Sequence, residues 1–390
     1  MRLLGSPLRL GAYPCESITN RQFEGTAVSH LDRIYLPSSV APLMDEPAVE
    51  SVEFVEDDNR GAVSPEPVAR LDGRAFYLSV KGVGSPIDPY SSKPLNGRLA
   101  AELVEDPRVR ARLERNPDSY GDRFITGELW LRGSPYGGQG LEHATTALRI
   151  SERADLTSIG GFLIAPVVKI ALFPQTLERQ LRQVYWYRTY PGRFVQELRL
   201  VPSNIRIYFH ARNTVGNDIR HVYDLFGVDS HAKALRFETC FLRSTVAMLT
   251  LFARTLTFDA ARGRYRGLDF QDVWLDKDAV VAPDGSVFFV DLEGIDEVSV
   301  EAEEVREKLE DQIFRSLYEL MFAYEQIEGE RARRFGAVGT RKRHFEAVLR
   351  QALRDDPFVR LEGDGRRLEM VIGNKCQEES LYTRFPAVEW

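Results

Sequence analysis

The apolar runs of this chain change character near residue 218, and that change constrains the fold more than any other feature. Before it, the runs are short and rich in β-branched and aromatic residues. Stretches 48–55, 63–71, 74–80, 163–172 and 195–209 therefore read as strands. After it, the runs lengthen. Residues 232 to about 261 read as one long, largely apolar helix. Residues 300–335 carry Val305, Leu309, Ile313, Leu317, Leu320 and Tyr324 at three- and four-residue spacing, the mark of a helix face. Residues 341–353 read as a further helix. Strands first and helices later predict an α+β protein with a sheet-rich N-terminal lobe and a helical C-terminal lobe. The expected division is an irregular arm over 1–50, an N-lobe over 51–174 and a C-lobe over 175–390.

Composition narrows the function classes. The net charge of −7 argues against a global surface for nucleic acid or anionic membrane. No apolar run approaches the length of a membrane span, and the first residues lack the apolar core of a signal peptide. Cys15, Cys240 and Cys376 are scattered, with no CxxC. A reducing, cytoplasmic setting is expected rather than a disulfide framework or a zinc site. The six histidines show no HxxH or HExxH spacing.

The richest concentration of candidate chemistry is 267–294, GLDFQDVWLDKDAVVAPDGSVFFVDLEG, which reads as an acidic hairpin. Residues 287–290 form a short apolar run, and Asp291 follows at once. A carboxylate at the end of a buried strand is costly unless a cation meets it. Asp291, with a second acidic cluster a hairpin away that includes Asp269 and Asp272, is what a Mg²⁺–nucleotide site needs. A solvated acidic hairpin is the plainer alternative, because Asp-Gly turns are common.

Three upstream features complement this hairpin. Lys81 ends the strand RAFYLSVK and precedes Gly-Val-Gly-Ser-Pro, where an ammonium can hold a phosphate. Glu152 lies on an expected helix over 141–154 and is a candidate partner for that lysine. Glu142 competes with it, at a helix start that favours a carboxylate in any case. The loop GSPYGGQG at 133–140 opens the same helix. Its Gly137 and Gly138 would let a nucleotide phosphate approach free backbone N–H groups. Each feature also has a plain structural reading: a lysine in water, a surface glutamate beside Arg153, a flexible connector.

Taken in order, strand lysine, helix glutamate, apolar strand, long helix, acidic loop and strand-end aspartate follow the sequence of a protein kinase. The string KGVGSPIDPYS resembles a segment of selenoprotein-O-type pseudokinases, and GLDFQD is similar to their metal-binding loop. The spacing from Glu152 to Pro166 resembles that of aminoglycoside-phosphotransferase-type kinases. The resemblance spans roughly residues 50–330. It implies a two-lobed, protein-kinase-like fold that uses ATP and Mg²⁺, with Lys81 on the phosphates, Glu152 orienting Lys81, Asp272 and Asp291 on metal, Asp291 in the catalytic place of the Asp-Phe-Gly aspartate, and Asp269 as the catalytic base or an accessory metal contact. The chain departs from the pattern in lacking a His-Arg-Asp triplet and in carrying Asp272 where an asparagine is usual. Loss of the usual base weighs against hydroxyl phosphorylation, and the selenoprotein-O-type resemblance then implies AMP transfer to a protein hydroxyl; phosphoryl transfer to a protein or small molecule, and an inactive nucleotide-binding or partner-binding module, are the alternatives. A separate expectation is single-stranded nucleic-acid binding through the aromatic and basic stretch 179–193, RQLRQVYWYRTYPGR.

Overall fold

The structure, a computed structural model, describes residues 7–10, 16–17, 52–57, 61–64, 66–81, 138–173, 190–205, 222–270, 278–364, 367–373 and 383–387, with Gln175, Glu178, Arg179 and Arg182. It is a mixed α+β protein. The chain divides into two compact units, one built from Leu3–Leu156 and Ala165–Asn204, the other chiefly from Thr157–Ile164 and Ile205–Trp390. The expected boundary at 174/175 falls inside the first unit, because residues 194–201 pair into its sheet.

The first unit is an antiparallel sheet with one helix described upon it. Its strands are β1 (Pro7–Leu10), β2 (Glu16–Ser17), β3 (Val52–Asp57), β4 (Gly61–Val63), β5 (Ala69–Leu71), β6 (Arg74–Lys81), β7 (Gln139–Gly140), β10 (Val167–Leu172) and β11 (Phe194–Val201). They run in the order β1-β3-β4-β6-β11-β10-β2, with β5 on β6 and β7 on β11. The strands β8 (Ser158–Ile159) and β9 (Phe162–Leu163) belong to the other unit. Two pieces of the expected irregular arm, β1 and β2, thus join the sheet. The single strand expected over 63–71 is two, because Pro67 cannot donate to a ladder. The β5–β6 turn is Asp72-Gly73, both at positive φ, as a tight two-residue hairpin turn requires. The helix α1 (Leu141–Glu152) buries Ala144, Ala147, Leu148 and Ile150 against β10 and β11.

The second unit gathers α2 (Val222–Leu225), α3 (His231–Leu249), α4 (Leu251–Thr255), α5 (Glu304–Phe335) and α6 (Arg341–Ala352) with small sheets. The long helix expected to about Ala261 breaks at Thr250 (φ −112°, ψ 20°) and ends at extended Leu256. Thr250 Oγ1 caps the break by donating to Val246 O at 2.8 Å. Phe237, Phe241, Leu242, Val246 and Met248 of α3 are buried, and α3 packs on both α5 and α6.

The acidic hairpin is two nested pairings rather than one. The outer strands β13 (Arg264–Phe270) and β16 (Ile295–Val300) pair with each other, and β12 (Thr257–Asp259) flanks β13. The inner pair is β14 (Ala279–Val281) with β15 (Val287–Phe289). Its turn holds Asp284, whose Oδ1 accepts from Ser286 N at 2.9 Å, and Gly285 at φ +92°. A Cβ on Gly285 would stand 2.3 Å from Phe237 O, so this tight turn seats the hairpin against α3. Three further strands, β17 (Val359–Asp364), β18 (Arg367–Ile372) and β19 (Thr383–Ala387), form a meander.

Candidate functional site

Lys81 is the last residue of β6, after five buried positions. Its register partners are Gly61 on β4 and Glu197 on β11. Its ammonium donates to Gln139 Oε1 at 3.0 Å. Gln139 closes the glycine-rich loop: β7 pairs with β11, and Leu141 N donates to Arg193 O at 2.8 Å where α1 begins. A Cβ at Gly140 would lie 2.4 Å from the Tyr190 ring, so a larger residue there would have to displace that ring. No side chain caps α1 at Gly140. Two features that the sequence leaves 58 residues apart, the strand lysine and the end of the glycine loop, therefore meet at the start of one helix. Gly138 is buried beside Gln139; Gly137 lies outside the described residues.

Glu152 does not join them. It is the last residue of α1, so it stands roughly 16 Å along the helix axis from Leu141. The expected Lys81–Glu152 pair is not formed, and its geometric reason is that eleven residues of helix separate the two ends. Glu152 Oε1 is buried and receives no hydrogen bond. Burial pushes its carboxyl above the usual range, and Arg149 pulls it partway back. Glu142, the competing carboxylate, is exposed on the first turn.

The residue that sequence reasoning missed is Glu197. It is 0% exposed, directly across from Lys81, and followed two residues later by Arg199, which is 2% exposed. Arg199 Nε donates to Glu197 Oε1 at 2.8 Å, and Arg199 Nη2 donates to the same oxygen. Glu197 Oε2 receives no hydrogen bond. The alternation Glu197-Leu-Arg199 inside a strand was a legible signal, since both charges fall on one face.

In the second unit, Asp269 lies on β13 and is 3% exposed. Its Oδ1 accepts from Gln312 Nε2 at 2.8 Å, and its Oδ2 pairs with Lys308, both on α5. Gln312 Oε1 in turn accepts from Phe252 N at 2.8 Å. Asp269 thus ties β13 and α4 to α5, and both of its oxygens are engaged. A general base must reach the acceptor proton, and this environment instead makes Asp269 a structural clamp. Asp291 follows β15 by two residues and precedes a 3₁₀ turn over Leu292–Gly294, with Gly294 N donating to Asp291 O at 3.0 Å. It is half-buried. Asp272 lies outside the described residues, and among the described residues no group of three or more His, Cys, Asp or Glu gathers to hold a metal ion.

The second unit also holds a buried charge network. Glu238 of α3, 0% exposed, accepts from Arg331 Nε at 2.7 Å and from Tyr324 Oη at 3.1 Å, and lies 2.6 Å from His344 Nε2. Arg331 also donates to Glu328 at 2.9 Å and to Gly336 O at 3.0 Å. The signal was a glutamate on the apolar stripe of Ala234, Phe237 and Phe241. A cavity of about 360 Å³ opens beside Gly160, Gly161, Arg254 and Asp356. Arg254 there is committed to Thr250 Oγ1, Gly160 O and Asp356 Oδ2, and stacks over Phe358.

Few residues of the basic stretch 179–193 are described, and those are engaged with the protein. Arg182 donates to Tyr190 O and Gly192 O and lies over the Phe194 ring; Arg193 pairs with Glu178 at 2.6 Å. Among the described residues no helix is long and apolar enough to cross a membrane. No family model matches the chain, and neither a curated protein nor a solved structure matches it.

Proposed function

We propose that the protein is an ATP- and Mg²⁺-dependent transferase of kinase-like fold, which moves a phosphoryl or AMP group to a protein or small-molecule acceptor. The observation that carries this reading is the contact of Lys81 with Gln139 at the start of α1. A strand-end ammonium, a glycine-rich approach and the N-terminus of a twelve-residue helix together suit a nucleotide's phosphates. The order of elements adds support: β6 with Lys81, α1, β10, the long α3, the β14–β15 hairpin and then Asp291.

Lys81 would hold phosphate oxygens as a point charge. Asp291, with Asp272, offers the hard carboxylate oxygens that suit Mg²⁺, the cation that such transfers use. The acceptor hydroxyl would attack the γ-phosphorus and release ADP, or the α-phosphorus and release pyrophosphate. Positioning and charge neutralisation supply most of the catalysis in such transfers.

A second reading, a nucleotide-binding module without turnover, is favoured by one observation. Asp269, the best-placed base in sequence, is engaged with Lys308 and Gln312. Label transfer from γ-labelled and α-labelled ATP separates the readings. The transferase reading expects transfer from one label, lost in Asp291→Ala and in Lys81→Ala. Transfer equal in wild type and both variants would sink the site assignment, and binding without transfer selects the second reading.

A further inference from the structure

Lys81 sits between two acceptors. On one side is Gln139 Oε1, to which it donates at 3.0 Å. On the other is Glu197, its register partner on β11. Directly opposed residues of an antiparallel pair project to the same face, with Cβ atoms about 5 Å apart. Arg199 spends both its Nε and Nη2 donors on Glu197 Oε1, which leaves Oε2 buried and without a hydrogen bond. A buried carboxylate oxygen left so is costly. With Glu197 fully buried, the donor that the sheet register brings opposite is the Lys81 ammonium, on a four-carbon stem able to swing.

We infer that Glu197 is a second seat for the Lys81 ammonium and acts as its positioning residue, the part that the sequence assigns to Glu152. Lys81 exchanges between Gln139, at the mouth of the glycine loop, and Glu197, within the sheet. The amide seat is neutral and presents a full positive charge at the start of α1. The carboxylate seat withdraws and neutralises it. The inference deepens the proposed function: its meaning for catalysis rests on Lys81 holding nucleotide phosphate, whereas the exchange itself does not.

The test is the rate at which an N-hydroxysuccinimide ester acylates Lys81 in the full chain, read by peptide mass at neutral pH. Replacing the amide with a near-isosteric apolar group, Gln139→Leu, drives the ammonium onto Glu197. Labelling of Lys81 should then fall by about tenfold or more, because a carboxylate at ion-pair distance suppresses the free amine. The double variant Gln139→Leu/Glu197→Gln should restore labelling to at least the wild-type rate. Labelling that rises or stays unchanged in Gln139→Leu overturns the inference, as does a fall that Glu197→Gln fails to reverse. Gln139→Leu leaves the Glu197–Arg199 pair intact, so the single variant decides even if the double variant does not fold. Addition of Mg·ATP to wild type separates the two claims. Protection of Lys81 supports the nucleotide site, and absence of protection removes that reading while leaving the labelling shift to stand or fall by itself.

Discussion

Arg331→Met tests how much of the second unit depends on its buried charges. Arg331 has no exposed side-chain surface and is the cation for two buried carboxylates, Glu238 and Glu328. Methionine keeps much of the length and packing but deletes all three donors. Breaking a buried pair by removing one partner costs about 3–5 kcal/mol, because a charge is left behind in low dielectric. Two carboxylates are left here, which argues for more. Each keeps help, however: Glu238 from Tyr324 and His344, Glu328 from Arg341 Nε at 3.1 Å. The expected loss is therefore about 3–5 kcal/mol, a large share of the roughly 5–15 kcal/mol that a folded chain commands. Arg333→Met is the control two residues along. Arg333 is 68% exposed, and its partner Glu330 keeps Arg334 when Arg333 is lost, so this change should cost far less. Urea unfolding followed by tyrosine and tryptophan fluorescence, with hydrogen exchange across α3 and α5, measures both. If Arg331→Met costs no more than Arg333→Met, the network is not what holds these helices together.

Other consequences follow from the same geometry. Burial, with the nearby Glu238 carboxylate second, pushes the Tyr223 and Tyr324 hydroxyls up. A raised folded value gives stability that is complete below the unfolded value and lost as pH rises past it. Stability should thus fall above about pH 10, and thermal melts across pH 8–11 should show a shallower fall in Tyr324→Phe, which also loses about 1.5–3 kcal/mol at neutral pH. Glu152, raised by burial, destabilises the fold once ionised, so Glu152→Gln should lift the melting temperature by about 1–2 °C near neutrality and by less at pH 4. No gain at either pH would contradict the burial. Gly285→Ala meets both a positive φ and the Phe237 carbonyl, and should cost more than about 1 kcal/mol in the same urea assay. A neutral outcome there would mean the hairpin does not seat on α3 so closely.

Elements set by local pattern were legible. Val305, Leu309, Ile313, Leu320 and Tyr324 are buried on α5 as their spacing indicates, and α6 begins at Arg341 as expected. Elements set by long-range pairing were not. The hairpin over 267–294 was readable, yet nothing local says that its first strand pairs with 295–300 rather than with 287–289. Glu152 shows the same limit. Its place on a helix was correct, but which end of that helix faces Lys81 depends on β7 pairing with β11, a contact across 56 residues of chain from Gln139 to Val195. Asp269 was read by its type as a site carboxylate. Only the approach of α5 reveals that Lys308 and Gln312 take it.

The claim that Lys81 and the glycine loop hold a nucleotide is tested most directly by calorimetric titration of Mg·ATP into wild type and Lys81→Ala. The active and the inactive reading share this requirement. Loss of a charge-assisted contact to phosphate is expected to weaken binding by about 10- to 100-fold. No heat of binding in wild type, or equal affinity in the two proteins, would contradict it.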